Sequence, residues 1–203
     1  MATLRPAARR ISLALGLLAA TASAAQAVGR AATTLSFGAS ADTFLDRQEP
    51  EDSFGSRRTL ELRSGDGQRL LLQVDAAAIA AAVGSRSVVR ASLELYVRST
   101  GNNWGPAGRS LGIHRVLTPW TELGASWRCP TGGEDDDDEE DDLRTPSLVE
   151  RDHGGCPNRW DGGNFVATPT ATTVQTNTAN VRIAFDVTAD LVAFLRGTAP
   201  NRG

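Results

Sequence analysis

The sequence lacks lysine altogether, because all 21 basic residues among its 203 are arginine. It also contains only two histidines, His114 and His153, and a single tyrosine. Without lysine, Schiff-base chemistry and the lysine of a phosphate-binding loop are excluded. Only the two histidines ordinarily titrate near neutral pH, and no His-Glu-x-x-His metal motif is present. So few reactive side chains predict a protein that is not an enzyme.

Long hydrophobic runs are also scarce, and the one at the N-terminus has the form of an export signal. Arginines within residues 1–10 precede an uncharged stretch, 11–25, that is shorter than the ~20 apolar residues needed to span a bilayer. Small residues at Ala25 and Ala27 fit signal peptidase, so we predict cleavage after Ala27, with Ala24 as second choice. The alternative is a permanent anchor helix. We therefore expect a secreted, extracellular chain without a membrane span in its mature form.

Negative charge is concentrated in one segment. After the predicted cleavage, 18 arginines remain against 24 acidic residues, a net charge of −6. Nine of those acids are consecutive, at 134–142, and without them the balance is +3. Export and the lack of a dense basic face argue against nucleic acid as a partner. An anionic polysaccharide remains compatible, since guanidinium groups bind carboxylates through two hydrogen bonds.

Short alternating segments dominate the remainder and predict an all-β fold. After a linker at 28–33, the pattern predicts strands at 33–37, 41–46, 59–63, 69–74, 87–98, 111–117 and 181–187. Two short helices are expected, one at 76–83 capped by Asp75 and ended by Gly84, and one at 189–196 capped by Thr188. Many short strands with brief helices favour a β-sandwich, and we predict a jelly-roll arrangement.

An ordered series of short motifs resembles the DNRLRE-type domains. The matching stretches are Ala-Asp-Thr-Phe-Leu at 41–45, Ser-Phe-Gly-Ser at 53–56, Arg-Leu-Leu-Leu-Gln-Val-Asp at 69–75, Ala-Ser-Leu-Glu-Leu-Tyr-Val at 91–97, His-Arg-Val at 114–116, Pro-Trp-Thr-Glu at 119–122, Ser-Trp at 126–127 and Phe-Asp-Val-Thr-Ala at 185–189. These are secreted β-sandwich modules similar to the carbohydrate-binding modules found beside polysaccharide lyases. The resemblance covers residues 34–203 and implies one such domain there.

The sequence departs from this family in two places. The six-residue motif that names the family is absent as written. Domains of this type also continue past their last helix into strands that close the sandwich, whereas this sequence ends at Gly203. On this resemblance we expect a sequence that is truncated at its C-terminus and belongs to a larger secreted protein; the alternative is that the fold closes differently.

Cys129 and Cys156 are the only cysteines, and both fall in a long irregular excursion at 128–164. In an exported chain they predict a disulfide that tethers this loop; a catalytic thiol is the alternative. The acidic block lies inside the loop and predicts a solvated insertion, with weak calcium binding as the alternative. Ordered Ca²⁺ sites recur in sandwich lectins, and for such a site Asp42 and Asp46 are the rival candidates. No cofactor is otherwise required.

Aromatic side chains in loops commonly stack on the apolar faces of sugar rings. Trp104 lies in a polar, glycine-rich loop, and Trp160 lies in the similar stretch 159–163. Arg98 and Arg109 flank the Trp104 loop and are placed to pair with uronate carboxylates. The alternative is that both tryptophans plug an end of the sandwich. The other two tryptophans are predicted to lie in the core: Trp120 and Trp127.

Two functions fit these observations. The first is a non-catalytic carbohydrate-binding module that holds an extracellular, uronate-containing polysaccharide through Trp104, Trp160, Arg98 and Arg109. The second is a structural or adhesive extracellular surface module without specific sugar binding. The resemblance favours the first.

Overall fold

The computed structural model of the chain describes residues 32–63, 67–132, 156 and 158–203. The predicted export signal, the acidic block and His153 lie outside the described residues, as does most of the predicted linker. All helices and strands given below belong to one compact unit, Leu35–Gly203. Within the described ranges, no helix is both long enough and apolar enough to cross a membrane.

The described residues form six strands and two short helices. The strands are β1 (Ala41–Asp46), β2 (Gln68–Gln73), β3 (Ser92–Val97), β4 (Arg109–Ile113), β5 (Ala171–Gln175) and β6 (Val181–Asp186); the helices are α1 (Ala76–Val83) and α2 (Thr188–Leu195). The strands pair antiparallel as β1 with β2, β3 with β6 and β4 with β5. This confirms the predicted mainly-β class with two short helices, built here from small antiparallel sheets.

Strand β1 is buried on both of its faces, which places the core of the molecule beside it. Leu45 and Thr43 are fully covered on one face, where Leu45 packs in a cluster with Leu71 and tryptophans from the segment after β4. On the other face, the ring of Phe44 stacks on that of Phe54, with centroids 4.3 Å apart. Two-sided burial explains why apolar and polar residues do not alternate strictly along this strand.

Strands β3 and β6 alternate as the sequence predicts. Leu93 and Leu95 of β3 are half-buried, while Glu94 and Tyr96 are exposed. Strand β5 was not predicted. Its Thr-rich sequence lies between the excursion at 128–164 and the strand predicted at 181–187. It pairs with β4 and also packs beside β6, to which it is joined by the turn 176–180. The end of β3 and the start of β4 therefore both lie next to the turn 176–180.

The two helices test the predicted caps. Helix α1 begins and ends where expected, because the Asp75 side chain accepts a hydrogen bond from Ala78 N at 2.9 Å and Gly84 follows with φ of +59°. The predicted Thr188 cap is wrong. Val187 is the N-cap residue of α2, and the Thr188 hydroxyl instead bonds both backbone groups of Ala91.

Two further strand predictions are wrong. Residues 33–37 form no strand and are exposed, so the apolar Leu35 and Phe37 find no partner among the described residues. Residues 59–63 alternate in burial as predicted, with Leu60 and Leu62 half-buried, but form no ladder. Alternation reports which side chains are covered; a strand also needs a second strand for its backbone groups.

The segment 201–203 lies against the body of the domain. The indole N–H of Trp120 donates to the carbonyl of Arg202 at 2.7 Å, and the Asn201 amide donates to the carbonyl of Val74 at 2.7 Å. The segment therefore links the end of β2 to the stretch that follows β4.

Candidate functional site

Both candidate tryptophans are largely enclosed in the structure. Trp160 belongs to the core cluster, and its indole N–H donates to the carbonyl of Ser126 at 2.9 Å. Trp104 is equally covered, and its backbone N–H donates to Asn177 Oδ1 at 2.9 Å. Each residue is only 9% exposed, so neither offers an open ring face. Trp160 reaches the surface only at an open, polar cleft of about 440 Å³ beside Arg159 and Asp161.

The remaining tryptophans lie where the sequence predicts. Trp120 and Trp127 are both buried in the core cluster. The Pro-Trp-Thr-Glu segment that carries Trp120 also holds the edge of β1, because Glu122 Oε1 accepts the Asp42 N–H at 3.2 Å. These motif residues therefore support the fold rather than face a ligand.

Arg98 and Arg109 are exposed at the same end of the sheets. Arg98 follows β3 directly after Val97, which pairs with Val181, and Arg109 opens β4 opposite Gln175. Their strand partners thus lie immediately before and after the turn 176–180. Neither guanidinium forms a hydrogen bond or an ion pair with another described residue, so both are free to bind an anion from solvent.

Tyr96 lies two positions before Arg98, on the exposed side of β3. It is not among the binding residues predicted from the sequence. Its side chain is 59% exposed on β3, and Arg182 of β6 lies directly opposite in the register. The phenol donates to Asn180 Oδ1 at 3.1 Å, which fixes the ring against the sheet. The sequence does contain an indication of its role, because Tyr96 is an aromatic residue on the polar side of an alternating strand, which is an unusual place for one.

The surface around Tyr96 combines apolar area with positive charge. Val174, on the neighbouring β5, is 58% exposed, which adds a second apolar group to the same end. Arg182 pairs with Glu94 at 3.5 Å, but both side chains are largely exposed, so this surface pair contributes little to stability. We call Tyr96, Arg182, Arg98 and Val174 the Tyr96 surface. Arg109 is paired with the buried Gln175 and therefore lies on the other face of its sheet from Val174.

Asp42 and Asp46 lie on the same face of β1 but not in one place. They are four positions apart along the strand, which puts their Cα atoms about 13 Å apart at the usual rise. That distance is too long for both carboxylates to bind one ion. The Asp46 carboxylate is buried and already faces donors: the Gln68 amide at 2.7 Å, the Gln48 N–H at 2.9 Å and Arg63 at 3.9 Å. No group of three acidic, histidine or cysteine side chains able to hold a metal occurs among the described residues.

The predicted disulfide is confirmed: Cys129 and Cys156 are joined, with Cα atoms 5.7 Å apart. The acidic block that this bond encloses lies outside the described residues.

Residues 108–112 read Gly-Arg-Ser-Leu-Gly, the Gly-x-Ser-x-Gly pattern of many hydrolases. That chemistry needs the serine on a sharp turn between a strand and a helix. Here Ser110 lies within β4, opposite Val174, and the strand continues to Ile113. The local geometry therefore does not make Ser110 a nucleophile of that type.

Comparison of the chain with protein-family models, with curated proteins and with solved structures finds no significant match.

Proposed function

We propose that this protein is a secreted, non-catalytic carbohydrate-binding module of the DNRLRE type, with a jelly-roll-like sandwich as its architecture. The exposed ring of Tyr96, held between arginines at one end of the sheets, is the observation that carries the proposal. A tyrosine ring presents a flat apolar face at low conformational cost, which suits the CH face of a pyranose.

The charge around the ring points to the class of polysaccharide. Arg98 and Arg182 flank the ring, and among the described residues Glu94 is the carboxylate paired there, with Arg182. Guanidinium groups match the two oxygens of a carboxylate, so a uronate-containing chain is the ligand that this surface suits best. In this proposal the predicted residue Arg98 keeps its role, whereas Arg109 lies outside the Tyr96 surface. Tyr96 replaces the enclosed Trp104 and Trp160 as the stacking ring.

The test is electrophoresis of the exported, oxidised protein through native gels that contain alginate, pectin, cellulose or xylan, each with calcium or with a chelator. We expect retardation in a uronate polymer, and at least a tenfold loss of affinity for Tyr96→Ala, equivalent to about 1.4 kcal/mol. Combined replacement of Arg98 and Arg182 by Ala should weaken binding and reduce its sensitivity to salt.

Phe37→Ala is the matched control, because Phe37 is an exposed aromatic residue outside the Tyr96 surface. Retardation that survives Tyr96→Ala would reject this surface as the binding site. A folded sample that is retarded in none of the gels would favour the structural or adhesive function instead. If the chelator abolishes binding, a calcium ion takes part in the complex.

A further inference from the structure

A second cleft, of about 940 Å³, lies between the turn at 51–57 and the segment 121–132. Its lining includes two acidic residues, whereas the Tyr96 surface carries arginines. Hydroxyl groups of Ser53, Ser56 and Thr121 line it together with the carboxylates of Glu51 and Asp52.

The walls of this cleft are held in place by packing and backbone contacts. Phe54 is buried beneath the turn, stacked on Phe44 of β1. Gly55 lies so close to the opposite wall that a Cβ atom there would be 1.9 Å from the carbonyl oxygen of Glu122. On that wall, Thr121 N donates to the carbonyl of Pro130 at 3.0 Å. The cleft is therefore formed before any ligand arrives, which reduces the cost of binding.

The charges around the cleft balance, so they do not select an anionic ligand. Glu51 and Asp52 are both exposed there, against one arginine in the lining, Arg57, whose guanidinium lies 6.0 Å from the centroid of the Phe54 ring. Glu51 is paired with Arg128, whereas the Asp52 carboxylate accepts no hydrogen bond from the described residues. A carboxylate that accepts no bond from these residues is a strong acceptor for neighbouring hydroxyls of a ligand.

The cleft also contains apolar surface at its rim. Leu123 lines it and is 72% exposed, an unusually open position for a leucine. Hydroxyl and carboxylate groups beside one exposed aliphatic side chain are complementary to a molecule with many hydroxyls and an apolar CH face. An uncharged sugar has both properties.

We propose that this cleft is a second saccharide site, which binds neutral sugar residues. Asp52 accepts hydrogen bonds from vicinal hydroxyls, and Leu123 contacts the CH face of the ring. This site does not depend on the Tyr96 surface, and its ligand differs in charge. A module with both sites would bridge a neutral and an acidic polysaccharide.

The test is isothermal titration calorimetry of the exported, oxidised protein with cellohexaose, xylohexaose and mannohexaose. We expect binding of at least one, weakened at least tenfold by the double substitution Asp52→Ala and Leu123→Ser, with Tyr96→Ala leaving it unchanged. Leu117→Ser is the matched control, since Leu117 is a partly exposed leucine outside the cleft. Far-ultraviolet circular dichroism verifies that each variant is folded.

The outcomes separate the two sites. Absence of heat with all three hexasaccharides overturns the cleft proposal and leaves the Tyr96 surface to its own test with uronate polymers. Binding that Tyr96→Ala removes, or that the double substitution leaves intact, places the neutral sugar elsewhere and also overturns the proposal.

Discussion

At the start of α2, the side chain of Asp186 accepts a backbone hydrogen bond, whereas the sequence predicts Thr188 as the capping residue. The Thr188 hydroxyl accepts the Ala91 N–H at 2.8 Å and does not cap α2, whereas Asp186 Oδ1 accepts the Thr188 N–H at 3.0 Å. Hydrogen bonding by the Thr188 side chain lowers the pKa of Asp186 below its ordinary value of 3.8, helped by the Thr188 N–H and by the charge of Arg90. Each of these interactions favours the carboxylate over the protonated acid.

This lowered pKa predicts a pH dependence of stability. The carboxylate stabilises the folded state fully above the unfolded pKa, near pH 4, and the contribution is lost as the pH falls through the lower folded pKa. Asp186→Asn should therefore be less stable than the wild type near pH 6, and the difference should shrink towards about pH 2. Urea unfolding across this range measures it. A difference that stays constant with pH would show that Asp186 acts without its charge.

At the scale of the elements, the contact between the turn 51–57 and the Pro-Trp-Thr-Glu segment determines how β1 is covered. Glu122 satisfies the Asp42 N–H at the edge of β1, away from β2. Gly55 allows the two segments to approach, because its missing side chain leaves room for the Glu122 backbone. An unpaired edge is thereby covered within the domain.

Gly55→Ala should therefore be strongly destabilising. The added Cβ would fall 1.9 Å from the Glu122 carbonyl oxygen, and rigid backbone must move to accept it. We expect a loss of about 3 kcal/mol in the free energy of unfolding. Gly38→Ala is the matched control, since a Cβ there would meet nothing within 4 Å. Equal stability of the two variants in urea unfolding would show that the turn can shift at little cost.

For the molecule as a whole, the excursion at 128–164 is attached at both ends to the core. Trp160 donates from its backbone to the Arg128 carbonyl at 3.0 Å and from its indole to Ser126, and Cys156 is bonded to Cys129. The disulfide closes a loop of sequence separation 27, so it restricts the unfolded chain across the whole insertion.

Removal of this bond should lower the stability of the entire domain. For the variant in which both Cys129 and Cys156 are replaced by Ala, we expect a loss of roughly 3–4 kcal/mol on the chain-entropy estimate. Chemical denaturation of the oxidised protein and of the variant measures the difference. The reduced wild type is the control and should resemble the variant. If oxidised and reduced forms unfold at the same denaturant concentration, the loop is held by its other contacts alone.

Residues of the candidate site could be predicted from the sequence only where the evidence for them lies in nearby residues of the chain. Arg98 and Arg109 are candidates from the sequence because they flank one loop, but only Arg98 lies on the Tyr96 surface. The exposure of Tyr96 follows from alternation within β3, but its partners Arg182 and Asn180 come from a strand far along the chain, and only the register brings them together. The tryptophans were misleading as surface candidates, because a polar, glycine-rich loop such as 101–105 can still pack closely on Asn177.

Local sequence patterns were enough to predict a fold made mainly of strands, helix α1 with its Asp75 cap, the buried Trp120 and Trp127, and the disulfide. These follow from local patterns or from there being only two cysteines to pair. Tertiary structure decided which strands pair, that Trp104 and Trp160 are enclosed, and that Tyr96 stands exposed among arginines. The physical reason is that pairing and burial are set by backbone groups and side chains distant in the chain, and a local pattern carries no information about which distant partner will satisfy them.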